Sequence, residues 1–402
     1  MDSRGYWIWL AQAFGAGNHR VWDLTKGYDD VEDFCNALID GKIKGLKSEE
    51  VRAIRTTHFE QTEKIQEYCE KNSMKIITYA DDEYPERLRD IYNPPTILFC
   101  YGDLSYIDDS ISLAVVGSRS PSQYSIEVAE GICNELASVG TVLISGFAYG
   151  IDSIAHKSAL LNKSKTVAVL GCGLDYDYPK ENSKIKKVIA KNGAVITEYF
   201  PGTKPFRDNF RQRNRLISGL SLGVLVVEAS SKSGSLNTAT HALSQGKDIF
   251  CIPTHDVFDE RYTGNSGLMR DGAIPVFSHL DIIYEYYENF SHKVNTNNAF
   301  EEFLLKRNSL SDIKKETLKK KKKIKMSAIK SVNEEIQTIP KIDTTNFSDI
   351  QKNIISQLEN GVMHADEISV KLECDISELL TELTELELEG AIKALSGKRY
   401  SL

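Results

Sequence analysis

The sequence predicts an α/β protein: a Rossmann-like, mostly parallel sheet preceded by a small helical domain and followed by a winged-helix-like domain. Three observations lead there. Short β-branched apolar runs recur between Leu113 and Ile252, each followed by a turn and most by an amphipathic segment of helical length. Before them, over residues 1–70, apolar residues recur at intervals of three and four. After them, beyond a polar lysine-rich stretch, the same helical spacing returns to the end of the chain.

Taken in order, residues 1–70 read as a helical, SAM-like domain. Trp7, Leu10 and Phe14 precede a break at Gly15-Ala16-Gly17, and Val31, Phe34, Cys35 and Leu38 follow it. Residues 71–109 read as a connector leading into the sheet. Residues 110–285 form the Rossmann-like domain, with strands expected at Leu113–Val116, Val142–Ser145, Val167–Leu170, Ala194–Thr197, Val224–Glu228 and Ile249–Ile252. Strands apolar on both sides, alternating with helices, call for a parallel sheet covered on both faces and joined by right-handed crossovers. Residues 286–345 read as a disordered linker rich in lysine, with Lys314, Lys315, Lys319 to Lys323, Lys325 and Lys330 closely spaced. Residues 346–402 read as the winged-helix-like domain, with Ala391–Leu402 as a hairpin or wing.

Composition bounds the function. A chain of 402 residues with 41% hydrophobic and 26% charged positions is globular and long enough for two or three domains. No apolar run approaches the roughly 18 residues needed to span a bilayer, and a cytoplasmic location is expected. The seven cysteines are dispersed and never form a Cys-x-x-Cys pair, which suits a reducing compartment and argues against zinc. Net charge is −8, so any affinity for nucleic acid has to come from a local basic cluster.

That cluster lies at Phe206–Leu216. Arg207, Arg211, Arg213 and Arg215 stand beside Phe206 and Phe210, with Asp208 the local counter-charge. Arginines fork onto phosphate oxygens and phenyl rings stack on unpaired bases, a pairing suited to single strands. The alternative is a solvated helix face with internal ion pairs. Three glycine-containing turns follow predicted strands: Gly117-Ser118-Arg119, Gly146-Phe147-Ala148-Tyr149-Gly150 and Gly171-Cys172-Gly173. At the carboxyl edge of a parallel sheet such turns favour phosphate, although any one of them serves equally as a plain tight turn. Gly171–Tyr176 lacks the third glycine of a dinucleotide fingerprint, and no Gly-Lys-Ser/Thr P-loop occurs, so neither NAD nor ATP is expected and no cofactor is assigned. His156 in an apparent helix and Cys172 without an identifiable partner are poor catalysts, and Asp152 suits a helix start.

These motifs, in this order, resemble the DNA-processing A (DprA/Smf) family. The resemblance runs through Gly117-Ser118-Arg119, Ser145 to Asp152 with Ala155-His156, Gly171 to Asp175, Tyr178-Pro179, Arg213 to Leu220, Val227-Glu228-Ala229 and Ser233-Gly234-Ser235. It extends upstream to Tyr84-Pro85 and Asn93-Pro94-Pro95. It implies a non-catalytic protein that binds single-stranded DNA and loads the RecA recombinase in natural transformation or recombination, working as a homodimer through the Rossmann-like domain. It also implies phosphate contacts from Arg119, Lys180, Arg213 and Arg215. With the turns and the basic cluster, the candidate DNA-binding residues are Gly117, Ser118, Arg119, Gly146, Gly150, Lys180, Phe210, Arg211, Arg213, Asn214, Arg215, Ser233, Gly234 and Ser235. The lysine-rich linker departs from compact members of the family.

Asp375–Glu389 carries six acids and no Lys or Arg, so phosphate would be repelled from that helix, leaving protein contact or a plain solvated face. The rival from another class is a nucleotide phosphoribohydrolase of the lysine-decarboxylase-like (LOG) group, whose glycine-rich stretch carries a catalytic glutamate. Here the comparable segment, Ser233 to Thr238, has none, and no carboxylate occurs between Ala229 and Lys247. A purely structural adaptor would leave the arginine cluster unexplained.

Overall fold

A computed structural model of the chain describes residues 2–290, 347–359, 361–372, 374–395 and 399–402. They fall into two compact units, within Met1–Lys306 and Arg307–Leu402.

The first unit opens with five helices, α1 (Ser3–Phe14), α2 (Arg20–Leu24), α3 (Val31–Ile39), α4 (Ser48–Thr56) and α5 (Phe59–Lys71). Caps explain several boundaries: the Asp2 and Asp30 side chains accept from the first-turn amides of α1 and α3. Next come β1 (Lys75–Thr78), α6 (Glu86–Arg89) and β2 (Ile97–Gly102). An alternating run follows: β3 (Ser112–Val116), α7 (Gln123–Ser138), β4 (Val142–Ser145), α8 (Ile151–Leu161), β5 (Thr166–Val169), α9 (Ser183–Asn192) and β6 (Ala194–Thr197). It continues with α10 (Arg207–Gly219), β7 (Gly223–Val226), α11 (Ser235–Ser244), β8 (Asp248–Cys251), α12 (Thr263–Arg270), β9 (Ile274–Pro275) and α13 (His279–Phe290).

The nine strands form one sheet in the order β1-β2-β6-β5-β4-β3-β7-β8-β9. From β6 to β9 every pairing is parallel, and all six predicted strands are there. Period-two alternation sorts their side chains. Leu113 and Val115 pack with α7, α8 and α13, whereas Ala114 and Val116 pack with Leu216 and Ile217 of α10, with Leu220 just after it, and with Ala239 and Ala242 of α11.

Three features differ from the sequence reading. The 71–109 connector supplies two strands: β2 runs antiparallel to both β1 and β6 and extends the sheet at that edge. The first five helices share a core with the sheet, in which Trp7, Trp9, Leu10 and Phe34 meet Phe99, Ala168, Leu170 and Val195. And α13 runs to Phe290, past the expected linker start at 286, because buried Tyr286 donates to Asp248 Oδ2 at 2.8 Å. The remaining linker expectation, from 291, lies outside the described residues.

The second unit is a winged helix. It comprises α14 (Asp349–Leu358), β10 (Met363–His364), α15 (Ala365–Leu372), α16 (Ile376–Leu388), β11 (Lys393–Leu395) and β12 (Arg399–Ser401), with β12 between β10 and β11 in a small antiparallel sheet. Ile354, Ile355, Ile368, Leu379, Leu383 and Leu386 make its core. Glu378, Glu385 and Glu387 on α16 are exposed.

Candidate nucleic-acid interface

The connection from β3 leads to β4 on one side, and the later β7 returns on the other. Loops leaving the carboxyl ends of these neighbours therefore diverge and open a crevice, the usual ligand position in a doubly wound sheet. Here it is a cleft of about 770 Å³, lined by the turn after β3, the loop after β7 and one face of α10.

Close packing of the turns sets its shape. Gly150 caps α8 with φ +70°, and a Cβ there would lie 2.3 Å from the Ser118 carbonyl oxygen. That carbonyl accepts from Ile151 N at 3.2 Å, locking the turn after β3 onto the start of α8. Gly171 lies beneath the Phe210 ring: a Cβ would come 2.7 Å from Phe210 Cδ1. Phe210 is thus seated on backbone, with Tyr178 5.5 Å away on one side and the guanidinium groups of Arg119 and Arg213 at 5.9 and 5.8 Å.

Of the residues singled out in the sequence, the cleft gathers Gly117, Ser118, Arg119, Phe210, Arg211, Arg213, Asn214, Ser233, Gly234 and Ser235. Gly146 lies behind Arg213, its carbonyl accepting from Arg213 Nη1 at 2.9 Å, and lines a small adjoining pocket with Tyr178 and Phe210. Lys180 is exposed two residues beyond Tyr178 and does not line the cleft. Asn214 Nδ2 donates to Asn237 Oδ1 at 3.2 Å, tying α10 to α11.

Arg215 is taken out of the cluster. It is buried, and its two terminal nitrogens each donate at 2.6 Å to the Glu198 carboxylate while Nε donates to the Asn93 carbonyl at 3.0 Å. Two residues after Arg213 on a helix it points some 200° away, so the two arginines cannot face one groove. Its expected phosphate contact gives way to a buried ion pair. Arg213 is buried as well, but at the cleft floor, donating also to Val169 O. Burial lowers its guanidinium to about 10, and Arg119 pushes the same way against Asp152.

Sequence reasoning did not select Lys232 and Arg261, which also line the cleft. Lys232 was legible as the one cation of Ser230–Ser235, whereas Arg261 reaches the cleft from the segment between β8 and α12 with its guanidinium held by Asp259 at 2.8 Å. The acids of the cleft are buried and engaged. Burial pushes the Asp152 carboxyl up, against a hydrogen bond from Ala148 N at 3.1 Å and the charge of Arg213. Burial also acts to raise Glu228, but hydrogen bonds from Ser122, Ser125 and Ser118 outweigh it and hold that carboxyl below the usual range. Glu228 accepts from Ser122 N at 2.8 Å, the amide at the start of α7. An internal carboxylate so fills the helix terminus on which a dinucleotide fold seats its pyrophosphate. Exposed Arg119, Arg207, Arg211 and Lys232 surround this site.

Among the described residues there is no cluster of three or more His, Cys, Asp or Glu able to hold a metal, and no helix long and apolar enough to cross a membrane. All seven cysteines are free thiols.

Comparison with known proteins follows the same outline. The sequence model for DNA recombination-mediator protein A matches residues 75–287, and that for the DprA winged helix domain matches residues 342–398. The chain is similar to the DNA processing protein DprA of Streptococcus pneumoniae, at 35% identity over 290 residues, 71% of this chain and 99% of that one. It is also similar to the DNA processing protein DprA of Bacillus subtilis, at 37% identity over 218 residues, 54% of this chain and 73% of that one. The X-ray structure of DNA processing protein A from Streptococcus pneumoniae superposes with a TM-score of 0.61 at 32% identity, covering 70% of this chain and 97% of that one.

Proposed function

Because the chain belongs to the DNA recombination-mediator protein A family, we propose that it binds single-stranded DNA in the cleft between the β3 and β7 loops and delivers the coated strand to the RecA recombinase in transformation or recombination. The observation that carries this reading is the composition of the cleft: exposed Arg119, Arg207, Arg211 and Lys232 around a Phe210 ring seated on Gly171, with both acids buried. Cations supply sequence-independent phosphate affinity and the ring supplies a stacking surface, which a paired base cannot use.

The reading is of a binder and not a catalyst. Asp152 and Glu228 are each held by backbone amides, and the segment from Ala229 to Lys247, which includes α11, has no acid to take the hydrolase role. Incubation with nucleoside monophosphates should release no free base; release would revive the phosphoribohydrolase alternative. By family resemblance the protein pairs as a homodimer through the sheet-bearing unit, which sedimentation of the intact chain checks. Acidic α16 suits a protein partner better than a phosphate backbone. Undiminished RecA capture by a chain ending before Ile350 would remove that domain as the contact.

The central test is fluorescence anisotropy with labelled single-stranded and duplex oligonucleotides across a salt series. Wild type should prefer the single strand with a steep salt slope, and Arg119→Ala/Arg211→Ala should flatten that slope by about 1.4, at ~0.7 per phosphate contact removed. Equal affinity for duplex and single strand would refute the reading.

A further inference from the structure

The strand's exit from the cleft is marked by charge. Beyond Tyr178 on the cleft wall the chain makes a short 3₁₀ turn, Lys180–Asn182, and runs directly into α9. Lys180, Lys184, Lys187 and Lys191 recur at intervals of four, three and four, which aligns them in one stripe along a helix surface. All four are exposed, and among the described residues none of them forms an ion pair. The remaining lysine of the helix, Lys186, is different. It is buried, and its ammonium donates to the carbonyls of Leu174 and Tyr176, fixing α9 against the turn that supplies the cleft wall.

The stripe is also electrostatically misplaced if its only role is to be solvated. The first turn of α9 contains no acid, and no side chain caps its amides. Lys184 therefore sits beside the partial positive charge of a helix N-terminus, where carboxylates are the favourable occupants, and Glu181 of the preceding 3₁₀ turn is the one acid next to the stripe in sequence. No acid occurs anywhere from Ser183 to Asn192, in a chain with 57 acids and a net charge of −8. A polyanion laid along the helix would remove the mutual repulsion of the lysines and the conflict with the helix dipole together.

We infer that α9 is a second track for the nucleic-acid backbone, carrying the strand onward after it leaves the cleft past Tyr178 and Lys180. The inference rests on the reading of the cleft as a single-strand site. Lys184 to Lys191 spans about 10 Å of helix axis at ~1.5 Å per residue, enough for about three phosphates at ~3.4 Å each along one strand. The helix carries no aromatic residue, and Val188 is its exposed apolar side chain. The track therefore follows phosphates without stacking bases, and its ligand is a strand too long for the cleft alone.

Length dependence tests this directly. Binding of oligothymidines of about six and about twenty nucleotides, within the range of single-strand site sizes, is measured over salt for the full chain and for Lys184→Ala/Lys187→Ala/Lys191→Ala. The short probe should bind both proteins equally. For the long probe the variant's salt slope should be lower by about 2, at ~0.7 per phosphate contact. Between 50 and 200 mM salt, wild type should then lose about 16-fold more affinity than the variant. Replacing the same three lysines by arginine should restore the wild-type slope. An unchanged slope with the long probe makes the stripe a solvated face and overturns the track. Equal losses on both probes also overturn it, by placing the effect in the cleft. If wild type binds neither probe, the cleft reading fails first and the track falls with it.

Discussion

Two residues apart on α10, Arg213 lays its guanidinium beneath the cleft and Arg215 commits its own to Glu198. Both were equally plausible phosphate ligands in the sequence, because the partner that distinguishes them lies 17 residues upstream at the end of β6 and is brought close only by the fold. The distinction has opposite consequences for mutation. Arg215→Ala leaves a buried carboxylate uncompensated and should cost about 3–5 kcal/mol of stability; Glu198→Gln/Arg215→Gln, which removes both charges, should recover much of it. Arg119→Ala, on an exposed side chain, should change stability by less than about 0.5 kcal/mol while weakening single-strand binding. Chemical denaturation beside anisotropy checks both, and a stable Arg215→Ala protein with weakened DNA binding would reverse the assignment.

At the scale of elements, the parallel strands were legible because each is apolar on both faces, a pattern that only a doubly covered sheet explains. β1 and β2 were not: neither is followed by a helix of useful length, β2 follows Pro94-Pro95, and β2 joins the sheet through antiparallel pairing with β6, nearly a hundred residues later. The glycine turns announced a binding edge, yet the reason for Gly171 is its contact with Phe210 on α10, beyond α9 and β6 in the chain. A Gly171→Ala change follows from that contact. The added methyl would displace the ring and not backbone, so the stability cost should be only about 1 kcal/mol, the low end for overpacking. The stacking surface would nevertheless tilt, and single-strand affinity should fall by about the ~1–3 kcal/mol that one stacked base contributes. Parallel anisotropy on Phe210→Ala supplies the reference: if Gly171→Ala binds as well as wild type, Phe210 is not the platform.

The scale of the whole sheet-bearing unit sets its acid stability. His156 is packed between β5 and Phe147, with Nδ1 2.8 Å from Thr166 Oγ1 and Nε2 without a partner. Burial, with Arg213 adding to it, depresses the imidazole from 6.5 to about 3. As pH falls through 6.5 the unfolded chain takes up a proton there that the folded chain refuses, so stability present above that value drains away at ~1.36 kcal/mol per pH unit, about 2 kcal/mol by pH 5. His241 is pushed the same way, chiefly by burial. Glu228, held below the ordinary carboxylate range, adds a later stage: its stabilisation is present above about 4.5 and is lost as the pH falls further. All three tryptophans, Trp7, Trp9 and Trp22, pack in the core shared by the first helices and the sheet, so their fluorescence follows this unit and not the winged helix. Denaturant titrations read that way should lose stability from pH 7.5 to 5 in wild type. The decline should be markedly shallower in His156→Gln, which cannot titrate, and parallel curves would move the acid lability elsewhere. The same buried imidazole that weakens the unit in acid meets β5 at Thr166, and the Val169 carbonyl of that strand accepts from Arg213, so the acid-labile core and the floor of the cleft are joined through β5.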